Sequence, residues 1–376
     1  MAGNVFGEVF RVMTWGESHG KAVGAVIDGV PPGFSLSAAD IQKELDRRRP
    51  GQSAISTPRR EADTVEILSG VFEGKTTGAP ISLLVYNSDH DSSAYDALRD
   101  TPRPGHADFS HIQKYGVWDH RGGGRASGRE TVGRVAAGAV AKKILSEFGI
   151  DIVCHTTQIG SIKADPGVLN DLPFEGIAEN IEKNSVRCAD LAAAALMETE
   201  VLAARERGDS VGGIVEGLIR GVPAGLGEPV FDKLDADLAK AVMSVGAVKG
   251  FEIGDGFEAA GKYGSEFNDA FEIKDGKVIT KTNHAGGILG GVSTGNVIRF
   301  RAAIKPTPSV SVTQETVDLA NGENTEINIA GRHDPVIAPR FVPVGEAMAA
   351  IVILDHLMRN EALHLLPHPV RTRGLK

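Results

Sequence analysis

Three consecutive glycines, Gly122-Gly123-Gly124, constrain this chain more tightly than anything else in it. They lead into Arg125-Ala126-Ser127-Gly128-Arg129-Glu130-Thr131. Only glycine takes a left-handed backbone without a Cβ penalty, so the run marks a path other residues resist. A helical pattern follows, with Val132, Val135, Ala136, Ala139, Val140 and Ile144 recurring on one face and Gly149 as its stop. The glycines, Arg125, Ser127 and Arg129 therefore fall at a helix N-terminus. Exposed N–H groups and the helix dipole favour an anion there, and guanidiniums add paired donors for phosphate or carboxylate. A tight turn with solvated arginines explains the same letters. No Gly-Lys-Ser/Thr follows, which excludes a nucleotide P-loop, and the glycine spacing fails the dinucleotide fingerprint.

Charge distribution also points to a small anionic ligand. The 376 residues carry a net charge of −9, which argues against a general nucleic-acid binder. Yet arginines gather at 47–49, 59–60, 103, 121, 125, 129 and 332. No stretch of about 18 apolar residues stands out, so no membrane span is expected. The first residues lack a signal-peptide pattern. Cys154 and Cys188 make neither a disulfide framework nor a metal-ligand spacing, and cytoplasmic residence fits. Asp89-His90-Asp91 reads as a solvated loop, so no metal is expected.

Along the chain, strands are expected over 5–12, 22–27, 65–72, 81–86, 150–159 and 297–304, with further strands within 251–282. Helices are expected over 37–45, capped by Ser37, and over 189–207, 234–245 and 344–358. A repeat is visible. Gly16-Glu17-Ser18-His19-Gly20 precedes Gly29-Val30-Pro31 by the same interval that separates Gly208-Asp209-Ser210-Val211-Gly212 from Gly221-Val222-Pro223. Val23 matches Val215 and Ile27 matches Ile219, as an internal duplication requires. His19 is replaced by Val211 in the second copy, which favours chemistry over packing for His19.

Two other turns hold titratable groups. Arg103-Pro104-Gly105-His106-Ala107-Asp108 places His106 on a rigid backbone, where it can protonate a leaving phosphate oxygen. Gly331-Arg332-His333-Asp334-Pro335 presents Asp334 either as a directed base or as a plain Asp-Pro turn. Residues 52–60 form a polar loop able to fold over a ligand. Asn283-His284-Ala285-Gly286-Gly287 opens a second glycine-rich loop, and Lys305-Pro306-Thr307-Pro308-Ser309 makes a rigid polar turn.

Taken in order from about residue 5 to 358, these motifs resemble the chorismate synthase family, with Asp46-Arg47-Arg48-Arg49-Pro50-Gly51 among them. The resemblance implies an α+β fold, two antiparallel sheets sandwiching helices, with internal pseudo-twofold duplication. It implies one domain over 1–376, with repeats near 5–150 and 200–358 and a peripheral tail at 359–376. The implied reaction is anti-1,4-elimination of phosphate from 5-enolpyruvylshikimate 3-phosphate to give chorismate, the final step of the shikimate pathway. Reduced FMN would be required without net redox change, in a homotetramer. By family analogy His19 would govern flavin protonation, His106 would protonate the departing phosphate, and Asp334 would help flavin N5 take the substrate proton. Arg48, Arg103, Arg129 and Arg332 would contact substrate. Flavin contacts would map to Arg125, Ala126, Ser127, Gly246, Ala247, Gly290, Lys305, Pro306, Thr307, Pro308, Ser309 and Arg332. Many bacterial relatives carry arginine where this chain has Ala54, which removes support for an NADP site there, although Arg59 or Arg60 could compensate. Reduced flavin would then come from an external flavin reductase. A flavin reductase-type oxidoreductase and a polyanion-binding module are the competing readings. The first lacks a nicotinamide fingerprint, and the second leaves the two histidines and Asp334 without a task.

Overall fold

The protein is described by a computed structural model covering residues 3–51, 55, 61–87, 98–274, 276–329 and 333–363. It is a mixed α/β fold with several antiparallel sheets. The first sheet takes Val5–Phe6 (β1), Arg11–Gly16 (β2), Ala22–Asp28 (β3), Val65–Ile67 (β4) and Ile81–Tyr86 (β5), in the order β1-β2-β3-β5-β4. Alternation decides its faces. Val12 pairs with Ile27, Val23 with Val85 and Ala25 with Leu83, and all six are buried. Helix Thr131–Ser146 (α3) packs on this row. Ala38–Arg48 (α1), capped at Ser37 as expected, joins β3 to β4, and Asp108–Tyr115 (α2) follows the last strand of the sheet.

The second five-stranded sheet takes Asp151–Ile159 (β6), Ile162–Lys163 (β7), Gly213–Arg220 (β8), Val248–Ile253 (β9) and Ile298–Ile304 (β10), in the order β9-β10-β8-β6-β7. Its inward row includes Cys154, Val215, Ile219, Phe300 and Ala302. Leu191–Glu206 (α4) lies against β6 and β7. Leu234–Met243 (α5) lies against β9 and against Ala338–Leu363 (α6), and α6 covers β6 and β8. Helices α3 and α6 pack on each other, with Gly138 against Ala347, a contact that leaves no space for a Cβ.

Three expectations need correction. The run 5–12 is not one strand, because Asp355 Oδ1 on α6 accepts the backbone N–H groups of Glu8, Val9 and Phe10 at 3.1, 2.7 and 2.9 Å. Those donors leave the ladder and the chain turns. The run 65–72 breaks at Gly70, whose φ of +80° is incompatible with a strand. The last helix begins at 338 rather than 344 and contains Pro343. Proline there cannot donate to the carbonyl of Pro339. The Arg187 guanidinium donates to it instead at 3.3 Å, and also caps the Arg47 carbonyl at the end of α1. This helix is, by length and a mean hydropathy of 1.6, apolar enough to cross a membrane, but its most apolar window is 94% buried within the protein, as a core helix is.

Helix α6 carries a charged joint. Buried Glu346 accepts from Arg47 of α1 at 2.5 and 3.0 Å, from Lys142 of α3 at 2.8 Å and from Cys154 N of β6 at 3.2 Å. Despite burial, Arg47 and Lys142 hold its carboxyl far below the usual range.

Candidate active site

Helix α3 does not begin directly at the glycines. Residues 121–126 and 128–130 form two tight turns ahead of it, with Gly122, Gly123 and Gly124 at φ +64°, +80° and +53°. Lacking side chains, they form a thin partition. The imidazole of His19 presses against Gly122 on one side, and that of His106 lies against Gly123, where a Cβ would stand 2.9 Å from Cε1. His19 and Ser18 are buried, and Ser18 Oγ is 3.1 Å from Ser127 Oγ.

Among the described residues, the arginines expected to grip an anion are already engaged by the protein. Arg125 donates to Thr14 Oγ1 at 2.7 Å, to Thr14 O at 3.0 Å and to Gly16 O at 3.1 Å, so it braces the edge of β2. Arg48 and Arg129, both nearly fully buried, converge on Asp63. Arg129 also meets Glu61 at 2.5 Å and donates to Asn87 Oδ1 at 2.8 Å; Arg48 reaches Thr131 Oγ1 at 3.1 Å. Burial alone would raise the Asp63 carboxyl, but the two guanidiniums overcome it and hold it below its ordinary value. Burial likewise pulls Arg48 down to about 10, against Asp63, so it remains charged at neutral pH.

The segment before α2 supplies a second pair. Arg103 forks onto Asp108 at 2.8 and 2.9 Å, and His106 Nδ1 shares Oδ1 of the same carboxylate. Desolvation opposes ionisation of Asp108, but His106 and Arg103 keep it anionic well below the usual carboxylate range.

The facing wall comes from the second half. Lys305 donates from its backbone to Ala247 O at 2.9 Å and from Nζ to Gly105 O at 2.9 Å. Thr307 Oγ1 donates to Asp334 O at 2.6 Å, and Asp334 pairs with Arg340 at the start of α6. His333 stands near Arg103 and His106; burial, then Arg103, lowers its pKa, so it is neutral at pH 7. Val211 donates its N–H to Pro335 O at 2.9 Å.

These walls enclose a cavity of about 1020 Å³. Arg48, Arg103, Arg125, Arg129, Arg134, Lys240, Lys249, Lys305 and Arg340 line it, against Glu61, Glu130 and Asp334, so an acidic chain keeps a cationic interior. His106, Ala126, Ser127, Gly246, Ala247, Thr307, Pro308 and Ser309 are also on its wall. His19 is not; it lies behind the Gly122 partition. Pro306 and Gly290 are not on the wall either, and Gly290 sits in the turn joining the short strands Ile288–Leu289 and Val292–Ser293. Arg332, Ala54, Arg59, Arg60 and residues 89–91 lie outside the described residues. Sequence reasoning missed Asp63, Glu61, Asp108 and His333. The first two carry no local motif. Asp108 and His333 stood inside motifs already quoted, two residues from His106 and one from Asp334.

A mixed α/β chain that gathers arginines, a histidine–carboxylate pair and a second carboxylate around one cavity has the equipment of an enzyme acting on a small polyanion. Comparison with known proteins narrows this. Residues 10–358 match the family model described as chorismate synthase. The chain is 67% identical over 360 residues to the chorismate synthase of Methanosarcina barkeri (96% of this chain, 97% of the relative). It is 54% identical over 360 residues to that of Opitutus terrae (96% and 98%). A solved structure titled "Crystal Structure of Chorismate Synthase" superposes with a TM-score of 0.75 at 34% identity, covering 94% of this chain and 93% of the other. The chain belongs to the chorismate synthase family, and with it to the lyases that form chorismate in the shikimate route.

Proposed function

We propose that the cavity binds 5-enolpyruvylshikimate 3-phosphate together with reduced FMN and assists the 1,4-elimination through His106, Asp334 and the buried arginines. The observation that carries this reading is the meeting of His106, Asp334 and the Arg48–Asp63–Arg129 cluster on one cationic cavity. The volume exceeds what a sugar-acid ester alone fills and suits a second, planar ligand. The side-chain-free Gly122–Gly123 surface and the Lys305–Ser309 turn suit a flavin ring and its phosphate, and buried His333 Nε2 has no hydrogen-bond partner among the described residues. Bound there in reduced form, the flavin supplies the electron density that eases carbon–oxygen cleavage.

The protein's own contribution is placement and proton control. Arg48, Arg103 and Arg129 orient the substrate's anionic groups, each already fixed by a carboxylate and therefore rigid. His106 Nε2 gives a proton to the departing phosphate oxygen. Asp334, held by Arg340, assists removal of the proton lost from the carbon ring. His19 acts through the Gly122 partition on the flavin side, beside Arg125, Ala126 and Ser127; Gly246 and Ala247 line the same end. Arg332 belongs to the proposed substrate and flavin contacts by its motif. Gly290, absent from this cavity wall, keeps a flavin role only as a contribution from a neighbouring copy in the proposed homotetramer. We assign residues 1–376 to a single domain. Its two central strands, β3 and β8, and its stacked helices α3 and α6 support a duplicated, sandwich-like layering of sheets around helices. Reduced flavin is supplied by a separate reductase in the cytoplasm, so NADPH plus oxidised FMN should leave the flavin unbleached in a spectrophotometer.

The deciding experiment is anaerobic phosphate release with dithionite-reduced FMN. His106→Ala should depress the rate by roughly 10²–10⁴-fold. An unchanged rate would remove His106 from the chemistry.

A further inference from the structure

We propose that Asp108 is the positioning residue of His106, holding its Nδ1 as a hydrogen-bond donor so that Nε2 is the atom offered to the substrate. The inference rests on the reading of His106 as the acid for the departing phosphate.

Asp108 is 1% exposed and opens helix α2, two residues beyond His106. Its carboxylate accepts from Arg103 three times: from the backbone N–H at 3.1 Å, from Nε at 2.8 Å and from Nη2 at 2.9 Å. Every one of these partners can only donate, so the carboxylate is fixed as an acceptor. The contact between Asp108 Oδ1 and His106 Nδ1 therefore requires a proton on Nδ1. A neutral imidazole has one N–H, and with Nδ1 occupied the lone pair belongs to Nε2. Nε2 would stand 3.3 Å from a Cβ built on Gly123, on the glycine partition that floors the cavity.

Among the described residues, no other carboxylate fixes His106 from its own loop. Arg103 Nη2 lies 3.1 Å from Nδ1 and shares Oδ1 with it. His333 and Asp334 face it from the segment ahead of α6, and Lys305 is tied to Gly105 one residue away. The proton balance is simple. The imidazolium passes its Nε2 proton to the phosphate oxygen as the carbon–oxygen bond breaks and its electron pair leaves with phosphate. The neutral imidazole that remains is already the Nδ1–H form bound to Asp108, so no tautomer change delays the step. The proton lost by the substrate ring balances the one delivered.

The test uses Asp108→Asn and Asp108→Glu in the full chain. The amide of the first turns a donor toward Nδ1 while its oxygen still serves Arg103; the second restores the anion. Histidine-selective 15N spectra of the protein without substrate, assigned with His106→Ala, report the tautomer directly. Phosphate release from 5-enolpyruvylshikimate 3-phosphate with dithionite-reduced FMN reports the rate. The expected result is an Nδ1–H signal for His106 in the unmodified protein, its switch to Nε2–H in Asp108→Asn, and a fall in kcat of about 10²-fold with KM changed much less. Asp108→Glu should recover part of the rate and the original signal. An Nε2–H signal in the unmodified protein, or a signal unmoved by Asp108→Asn, overturns the inference even if kcat falls. Should the tautomer switch occur while His106→Ala keeps full activity, the acid role of His106 is wrong and the catalytic half of this inference fails with it.

Discussion

At the scale of single residues, the site depends on what is missing at Gly122 and Gly123. Alanine at 123 would carry a Cβ 2.9 Å from the His106 ring on a backbone at φ +80°. The strained conformation costs about 1–2 kcal/mol, and the displaced imidazole should cost about tenfold in kcat, because small misplacement of an acid is expensive. Thermal melting and steady-state phosphate release separate the two effects; a Gly123→Ala enzyme at full rate would refute the packing argument. The arginines show why a motif is only partly readable. Arg48, Arg103 and Arg129 could be picked out as a cationic set from the letters alone. The partners of Arg129, Asp63 and Glu61, could not, because nothing local marks a carboxylate that meets an arginine more than sixty residues away.

Among the elements, the strands and helices with clean periodicity were legible: α3 behind its glycines, α1 behind Ser37, and β3 and β8 in the repeated Gly-to-Pro units. Boundaries were lost where a distant side chain intervened, as Asp355 does at 8–10 and Arg187 does at Pro339. The joint at Glu346 is of the same kind, since one carboxylate ties α1, α3, α6 and β6. Removing its charge takes from Arg47 and Lys142 their one fully buried counter-charge and leaves them only Glu44 and, for Arg47, Glu182. Glu346→Gln should therefore lose stability, by less than the roughly 3–5 kcal/mol of a buried pair left wholly uncompensated, read as a lower urea midpoint. A midpoint unchanged from the parent would show that the joint contributes nothing net.

For the whole molecule, acid is the weak direction. Asp63, Asp108 and Glu346 all have carboxyls held below their ordinary values in the fold, so near pH 4 the unfolded chain binds more protons than the folded one. Their stabilisation is complete above about pH 5 and declines as pH drops through the folded values. Urea unfolding at pH 6 and pH 3.5 should show a clear loss at the lower pH, and equal midpoints would contradict the sign. Thiol chemistry should be silent until the fold opens. Cys154 and Cys188 are both fully buried, and burial pushes Cys188 up to about 11 and Cys154 well above its ordinary value. A thiol reagent that labels either one in the native protein would argue otherwise. The Glu346 joint also bears on entry to the site. The two cavity walls come from opposite halves, yet those halves are riveted together by dehydrated charge. They cannot part like a clamshell without exposing Glu346, so the gauge between the walls stays constant, and small molecules must be admitted by movements confined to the rim.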